Sequence, residues 1–136
     1  VFKNNGLFEI NKQYFTHPKD GVAMSWEDGS PFIENIYSSY MVEIFGTPRA
    51  RDEELTQYHK DLAASIQAVT EELIFHILNY FQEKTKIRNI CIAGGVAQNS
   101  VANGKILDNT TFENLYIPPA GHDAGTAIGS ALWLYN

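Results

Sequence analysis

Two short stretches of this sequence carry residue types able to hold a phosphate or a cation. The first is Ala93-Gly94-Gly95-Val96-Ala97-Gln98-Asn99, set between an apolar run and a helical pattern. Glycine has no Cβ, so the backbone there can come close to a ligand. A helix beginning behind it aims N–H groups and the positive end of its dipole at the same place, which suits an anion or a nucleotide. A glycine pair also serves simply to make a tight strand-to-helix turn, and the spacing leaves both open. The stretch is not a Walker loop, since no Gly-Lys-Ser/Thr follows, and it lacks the G-x-G-x-x-G dinucleotide pattern.

The second stretch is Pro118-Pro119-Ala120-Gly121-His122-Asp123-Ala124-Gly125-Thr126. The Asp123 carboxylate could ligate a hard cation or, through it, phosphate oxygens. It could equally be an ordinary helix N-cap, a role in which aspartate stabilises by about 1 kcal/mol. His122, beside it, is a further candidate. His17, His59 and His76 show no H-x-x-x-H or H-E-x-x-H spacing and read as exposed or structurally satisfied. Gln67 and Glu71, one helical turn apart, could face a ligand or form a solvated face. Cys91 is the only cysteine. It excludes an internal disulfide and, lying in an apolar run, reads as a small buried hydrophobe in a reducing compartment. No Ser-His-Asp or Cys-His arrangement can be argued from these separations.

The elements that must position these loops follow from periodicity. Residues 87–93 (Ile-Arg-Asn-Ile-Cys-Ile-Ala) predict a strand buried on both faces at its end, followed by Gly94-Gly95 and a helix over about 97–107. Residues 114–118 predict a second strand, and 126–135 a final apolar helix. This βαβα order implies a parallel strand pair with a right-handed crossover. Both loops then lie at one edge of the sheet, where open α/β sheets bind ligands. Upstream, Leu55, Tyr58, Leu62, Ile66, Val69, Leu73, Ile77 and Tyr80 recur at three- and four-residue steps and predict an amphipathic helix. Unbroken over 52–83, it would be about 48 Å long. Residues 2–10 predict a hairpin with a two-residue turn at Asn5-Gly6. Residues 16–31 read as loop, and residues 32–45 as a short helix stopped by Gly46-Thr47-Pro48.

The chain has 136 residues, 44% of them hydrophobic, enough for one globular core. The formal net charge of −6 and the lack of a Lys/Arg cluster argue against nucleic acid as a partner. Phosphate recognition must therefore come from backbone N–H groups or a metal. No apolar run approaches the roughly 20 residues of a membrane span, and no signal peptide opens the chain. A cytoplasmic protein is expected. The start at Val1, already in patterned sequence, hints at a piece of something longer.

Residues 55–72 and 92–104, with Pro118-Pro119-Ala120-Gly121-His122-Asp123-Ala124-Gly125-Thr126-Ala127-Ile128-Gly129, resemble the nodulation- and antibiotic-type O-carbamoyltransferases. Phe45-Gly46-Thr47-Pro48-Arg49 matches their pattern as well. The resemblance covers nearly the whole chain in order and spacing. It implies an α/β fold, a fragment of an actin-like ATPase (sugar-kinase and heat-shock ATPase) domain with a mixed sheet and flanking helices. The chain would be the C-terminal lobe of that domain, one partial domain over 1–136. A separate C-terminal domain would make carbamoyl-adenylate from carbamoyl phosphate and ATP. The actin-like domain would pass the carbamoyl group to a hydroxyl of a sugar-like or antibiotic acceptor.

In residue terms, the resemblance implies Gly94, Gly95, Val96 and Asn99 at the adenylate and Asp123 as catalytic residue and ligand of a divalent metal, often iron. The family's other metal ligands, an H-x-x-x-H pair and a further aspartate, belong to an N-terminal lobe not found in these residues, so the chain alone is expected to be inactive. His122 fits as the residue before the aspartate, with its role open. Gln98 replaces a residue that is commonly apolar. Two alternatives stand beside this: the related enzyme that completes threonylcarbamoyladenosine on tRNA, and a non-catalytic nucleotide-binding module of the actin type.

Overall fold

A computed structural model describes residues 1–135, which divide into two compact units. The first holds Val1 and residues 9–57. After a 3-10 turn at Lys12–Tyr14 come α1 (His17–Asp20), the antiparallel pair β1 (Met24–Glu27) and β2 (Ser30–Ile33), and α2 (Ser39–Phe45). The stretch 16–31, expected as loop, is therefore largely a helical turn and a hairpin. Its turn is Asp28-Gly29, both at positive φ (48° and 79°), the geometry that matches the twist of two paired strands. The helix expected over 32–45 begins only at Ser39, because Phe32 and Ile33 pair with Ser25 and Met24. Gly46 ends it as expected, its N–H on Val42 O.

The second unit holds residues 2–8 and those from Tyr58 on. Phe2 and Phe8 pair across a hairpin, with Lys3 N–H on Leu7 O at 2.9 Å. That bond leaves three loop residues, Asn4-Asn5-Gly6, rather than the expected two-residue turn. The long helix is real and unbroken: α3 runs Gln57–Thr85, about 44 Å at 1.5 Å per residue. It starts five residues later than expected because Arg49 takes the preceding segment into a turn. The Arg49 Nη1 donates to the carbonyls of Ala50, Arg51 and Glu53.

Downstream lie β3 (Asn89–Cys91), a 3-10 turn at Gly95–Gln98, α4 (Ser100–Asn103), α5 (Ile106–Asn109), β4 (Asn114–Tyr116) and α6 (Gly125–Tyr135). β3 and β4 pair in parallel, Asn89 with Asn114, Ile90 with Leu115 and Cys91 with Tyr116. The architecture is thus mixed α/β with one antiparallel and one parallel two-stranded sheet. Among the described residues the buried hydrophobic ones are Ala97, Ala102, Ile106 and Phe112. Beside them an apolar hollow of about 160 Å³ is lined by Ile74, Ile77, Ile92, Ala93, Val96 and Ile106 among others. The expectation that β3 is covered on both faces fails: Cys91 is exposed, not buried.

Candidate functional site

Because β3 and β4 run parallel, the chain leaves both at the same end, and the two loops share one rim. Ile92 N–H continues the ladder onto Tyr116 O at 3.1 Å, and Gly94 N–H then donates to Gly121 O at 2.5 Å. The loops expected to meet are thus tied backbone to backbone. Gly94 has φ +109°, a conformation essentially reserved for glycine. A Cβ added at Gly94 or Gly95 would meet nothing within 4 Å, so that face of the turn is open.

Residues 97–107 do not form the single helix expected. They divide into the 3-10 turn, α4 and α5, for a local reason. The Asn99 Oδ1 accepts from Ala102 N–H at 3.0 Å and caps α4, while the Asn99 N–H closes the 3-10 turn on Val96 O at 3.0 Å. Asn103 Nδ2 reaches back to Ala97 O at 2.7 Å. Among the described residues, the N–H groups of Gly95 and Val96 donate to no backbone acceptor, and Val96 is 65% exposed. The turn therefore offers two donors and an apolar side chain to whatever approaches.

Gln67 and Glu71 do face this loop, from α3. Gln67 and Asn99 exchange two hydrogen bonds, Nε2 to Oδ1 at 3.1 Å and Nδ2 to Oε1 at 2.9 Å. The same Gln67 Nε2 donates to Glu71 Oε1 at 2.8 Å. Glu71 is the one buried charged residue among those described, and Lys105 donates to its Oε2 at 2.7 Å. The Lys105 ammonium, and after it the Gln67 amide, hold the Glu71 carboxyl below the usual glutamate range. Lys105 and Asn103 were not foreseen. Lys105 lies 34 residues from Glu71, and no local spacing announces such a pairing.

On the other loop, Asp123 is exposed and its backbone carbonyl accepts from Thr126 Oγ1 at 2.8 Å. Thr126 N–H reaches the same carbonyl at 3.2 Å. The bonds that open α6 thus use the backbone of Asp123 and not its carboxylate. His122 Nδ1 accepts from Ala124 N–H at 3.2 Å, so that lone pair is taken by the turn. Gly125 is required by a close approach, since a Cβ there would strike the Ala120 carbonyl oxygen.

Elsewhere, His76 is partly covered, 5.1 Å from the Phe2 ring centroid with Nε2 3.3 Å from Leu7 O. His17 departs from the expectation of an exposed or satisfied group: its Nδ1 is buried without a partner. Among the described residues no three His, Cys, Asp or Glu side chains gather as a metal would require. Asp123 supplies a single carboxylate, too little to hold a divalent cation by itself.

Residues 4–132 match the family described as Carbamoyltransferase N-terminus. The chain belongs to the carbamoyltransferase family. It is 39% identical over 135 residues to an uncharacterised protein of Synechocystis sp., covering 98% of this chain and 20% of the relative. It is 47% identical over 81 residues to nodulation protein NolNO of Sinorhizobium fredii, covering 60% of this chain and 12% of that protein. A tRNA N6-adenosine threonylcarbamoyltransferase of Fervidobacterium nodosum is 41% identical over 59 residues, 43% of this chain and 18% of that protein. The chain thus spans a fifth or less of the length of these relatives. Among the described residues, no helix is long and apolar enough to cross a membrane.

Proposed function

We propose that the chain is part of an ATP-dependent O-carbamoyltransferase, in which it receives the nucleotide at the Gly94-Gly95 turn. The supporting observation is the shared rim: two loops leaving parallel strands at one end, joined by Gly94 N–H and Gly121 O. The surrounding fold would be the C-terminal lobe of an actin-like domain, completed by an N-terminal lobe and an adenylate-forming domain elsewhere in the protein. The substrates would be carbamoyl phosphate, ATP and a hydroxylated small molecule, sugar-like or antibiotic, in the cytoplasm.

In the transfer step the acceptor hydroxyl oxygen attacks the carbonyl carbon of carbamoyl-adenylate. A new C–O bond forms, the bond from that carbon to the phosphate oxygen breaks, AMP leaves with the electron pair, and the hydroxyl proton passes to solvent. The N–H groups of Gly95 and Val96 would meet the charge growing on the phosphate, as fixed dipoles that need no reorganisation. Gly94 and Gly95 would keep the approach clear, and the exposed Val96 side chain would cover an apolar part of the nucleotide. Asn99 would serve from its place at the end of the turn. Asp123, across the rim, would be one ligand of a divalent metal, iron by family resemblance, whose remaining ligands lie outside this chain. Such an ion would supply Lewis-acid charge to the phosphate.

The test uses the complete protein with carbamoyl phosphate, ATP and a panel of hydroxylated acceptors. Asp123→Ala should abolish transfer while carbamoyl-adenylate still forms, and unchanged transfer would remove Asp123 from the reaction. Gly95→Val places a branched side chain on the open face of the turn. ATP affinity by calorimetry should fall by at least about tenfold, the loss of some 1.4 kcal/mol.

The likeness to the tRNA-modifying enzyme supports a second reading, threonylcarbamoyl transfer to tRNA. The net charge of −6 weighs against it, since phosphate backbones need cationic contacts. A salt-sensitive gel shift with tRNA would favour that reading over the first.

A further inference from the structure

Four side chains between α3 and the glycine turn form a hydrogen-bonded series in which each member dictates the orientation of the next. An ammonium group only donates and an ionised carboxylate only accepts. Lys105 therefore donates a hydrogen bond to Glu71 Oε2, and Glu71 Oε1 must accept one from Gln67 Nε2. With its amide so turned, Gln67 presents Nε2 to Asn99 Oδ1 and Oε1 to Asn99 Nδ2. The Asn99 oxygen then faces Ala102 N–H, while the Asn99 backbone closes the turn at Val96.

We infer that Glu71 and Gln67 are positioning residues, a one-directional relay that sets the Asn99 amide and so holds the Gly95–Gln98 turn in its ligand-receiving form, with Lys105 as the ion partner outside the relay proper. This rests on the reading that the turn receives nucleotide. The depressed Glu71 pKa accords with a carboxylate that stays ionised and acceptor-only. Both ends of the relay demand an acceptor: Lys105 at one, Ala102 N–H at the other. Only a group that accepts on both oxygens, placed at position 71, satisfies them together.

That polarity makes a prediction that packing alone does not. In Glu71→Gln one arm of the new amide must be a donor. Either it opposes the Lys105 ammonium, or it opposes Gln67 and turns the Asn99 oxygen away from Ala102. Removing the ammonium lifts the conflict, so Lys105→Met should rescue Glu71→Gln. Lys105→Met alone keeps the acceptor-only carboxylate and hence the direction of the relay, although it strips a buried carboxylate of its cation and lowers the melting temperature.

The experiment measures, on the complete protein, melting temperatures by circular dichroism and ATP dissociation constants by calorimetry. The constants are those of the binding event that Gly95→Val weakens, which sets aside ATP held by the adenylate-forming domain. Glu71→Gln should bind ATP about tenfold more weakly, the scale of one hydrogen bond to a charged group. Lys105→Met and the double variant should stay within about threefold of wild type. Affinity and melting temperature then part company, as they would not for a purely structural ion pair. A Glu71→Gln that binds like wild type, or a double variant as weak as Glu71→Gln, overturns the relay. If Glu71→Gln does not fold, Gln67→Met cuts the relay at its middle, and wild-type affinity in that variant also overturns it. Wild-type protein with no ATP-binding event that Gly95→Val weakens sinks the glycine-turn reading itself, and the relay with it.

Discussion

Glu71 sits nearly out of solvent with a cation on one oxygen and an amide on the other, so its protonation is coupled to folding. A carboxyl whose pKa is depressed in the folded state stabilises that state above its unfolded pKa, and the contribution is lost as pH falls through the folded one. Acidification from neutral to below the usual glutamate range should therefore lower the melting temperature of wild type more than that of Glu71→Gln, as followed by circular dichroism. Equal slopes for both would show that Glu71 titrates freely. At Gly125 the expectation is steric. Gly125→Ala drives a methyl into the Ala120 carbonyl oxygen, and should cost about 1–3 kcal/mol by urea denaturation, as other overpacked sites do. The one-turn spacing of Gln67 and Glu71 was visible in the sequence, and so were the glycine pair and Asp123. Lys105 was not, because its role comes from a tertiary approach to Glu71 and not from its neighbours in the chain.

Helices and strands with strong local signals came out much as their periodicity predicts. α3 is one helix because its apolar positions keep a three- and four-residue rhythm throughout, and β3, β4 and α6 fall in the expected order. The errors lie where side chains outbid local preference. The stretch 97–107 has helix-compatible residues, but Asn99 turns its side chain onto Ala102 N–H and splits the run in two. Asn99→Ala should therefore destabilise by about 1 kcal/mol through the lost cap, and by more if Gln67 is left unpaired. Asn99→Asp keeps a capping oxygen but loses the donor to Gln67 Oε1, so it should recover only the cap's share of that stability, as chemical denaturation would show. The β1–β2 hairpin was hidden by Pro31, which argues against a strand interior, although Pro31 faces Trp26 in the pair and edge strands tolerate proline. The Asp28-Gly29 dipeptide was the signal that could have found it.

At the scale of the whole chain, hydrophobic burial is sparse beside the hydrophobic content of the sequence. Trp133, Leu134 and Tyr135, at the end of α6, are 85%, 86% and 87% exposed, and Ile66, Val69 and Tyr116 are each more than half exposed. Monomeric proteins rarely leave so many large apolar side chains in water. The isolated chain should sediment above its 15.3 kDa mass and bind a hydrophobic dye, and a clean monomer without dye binding would contradict this. The tie between Gly94 N–H and Gly121 O has a consequence of its own. An amide proton shared by two turns exchanges with deuterium only when the turns separate, so the Gly94 resonance is a built-in clock for the breathing of the rim. Its exchange should slow when ATP is added and quicken in Gly125→Ala, giving a gauge of site closure that needs no turnover at all.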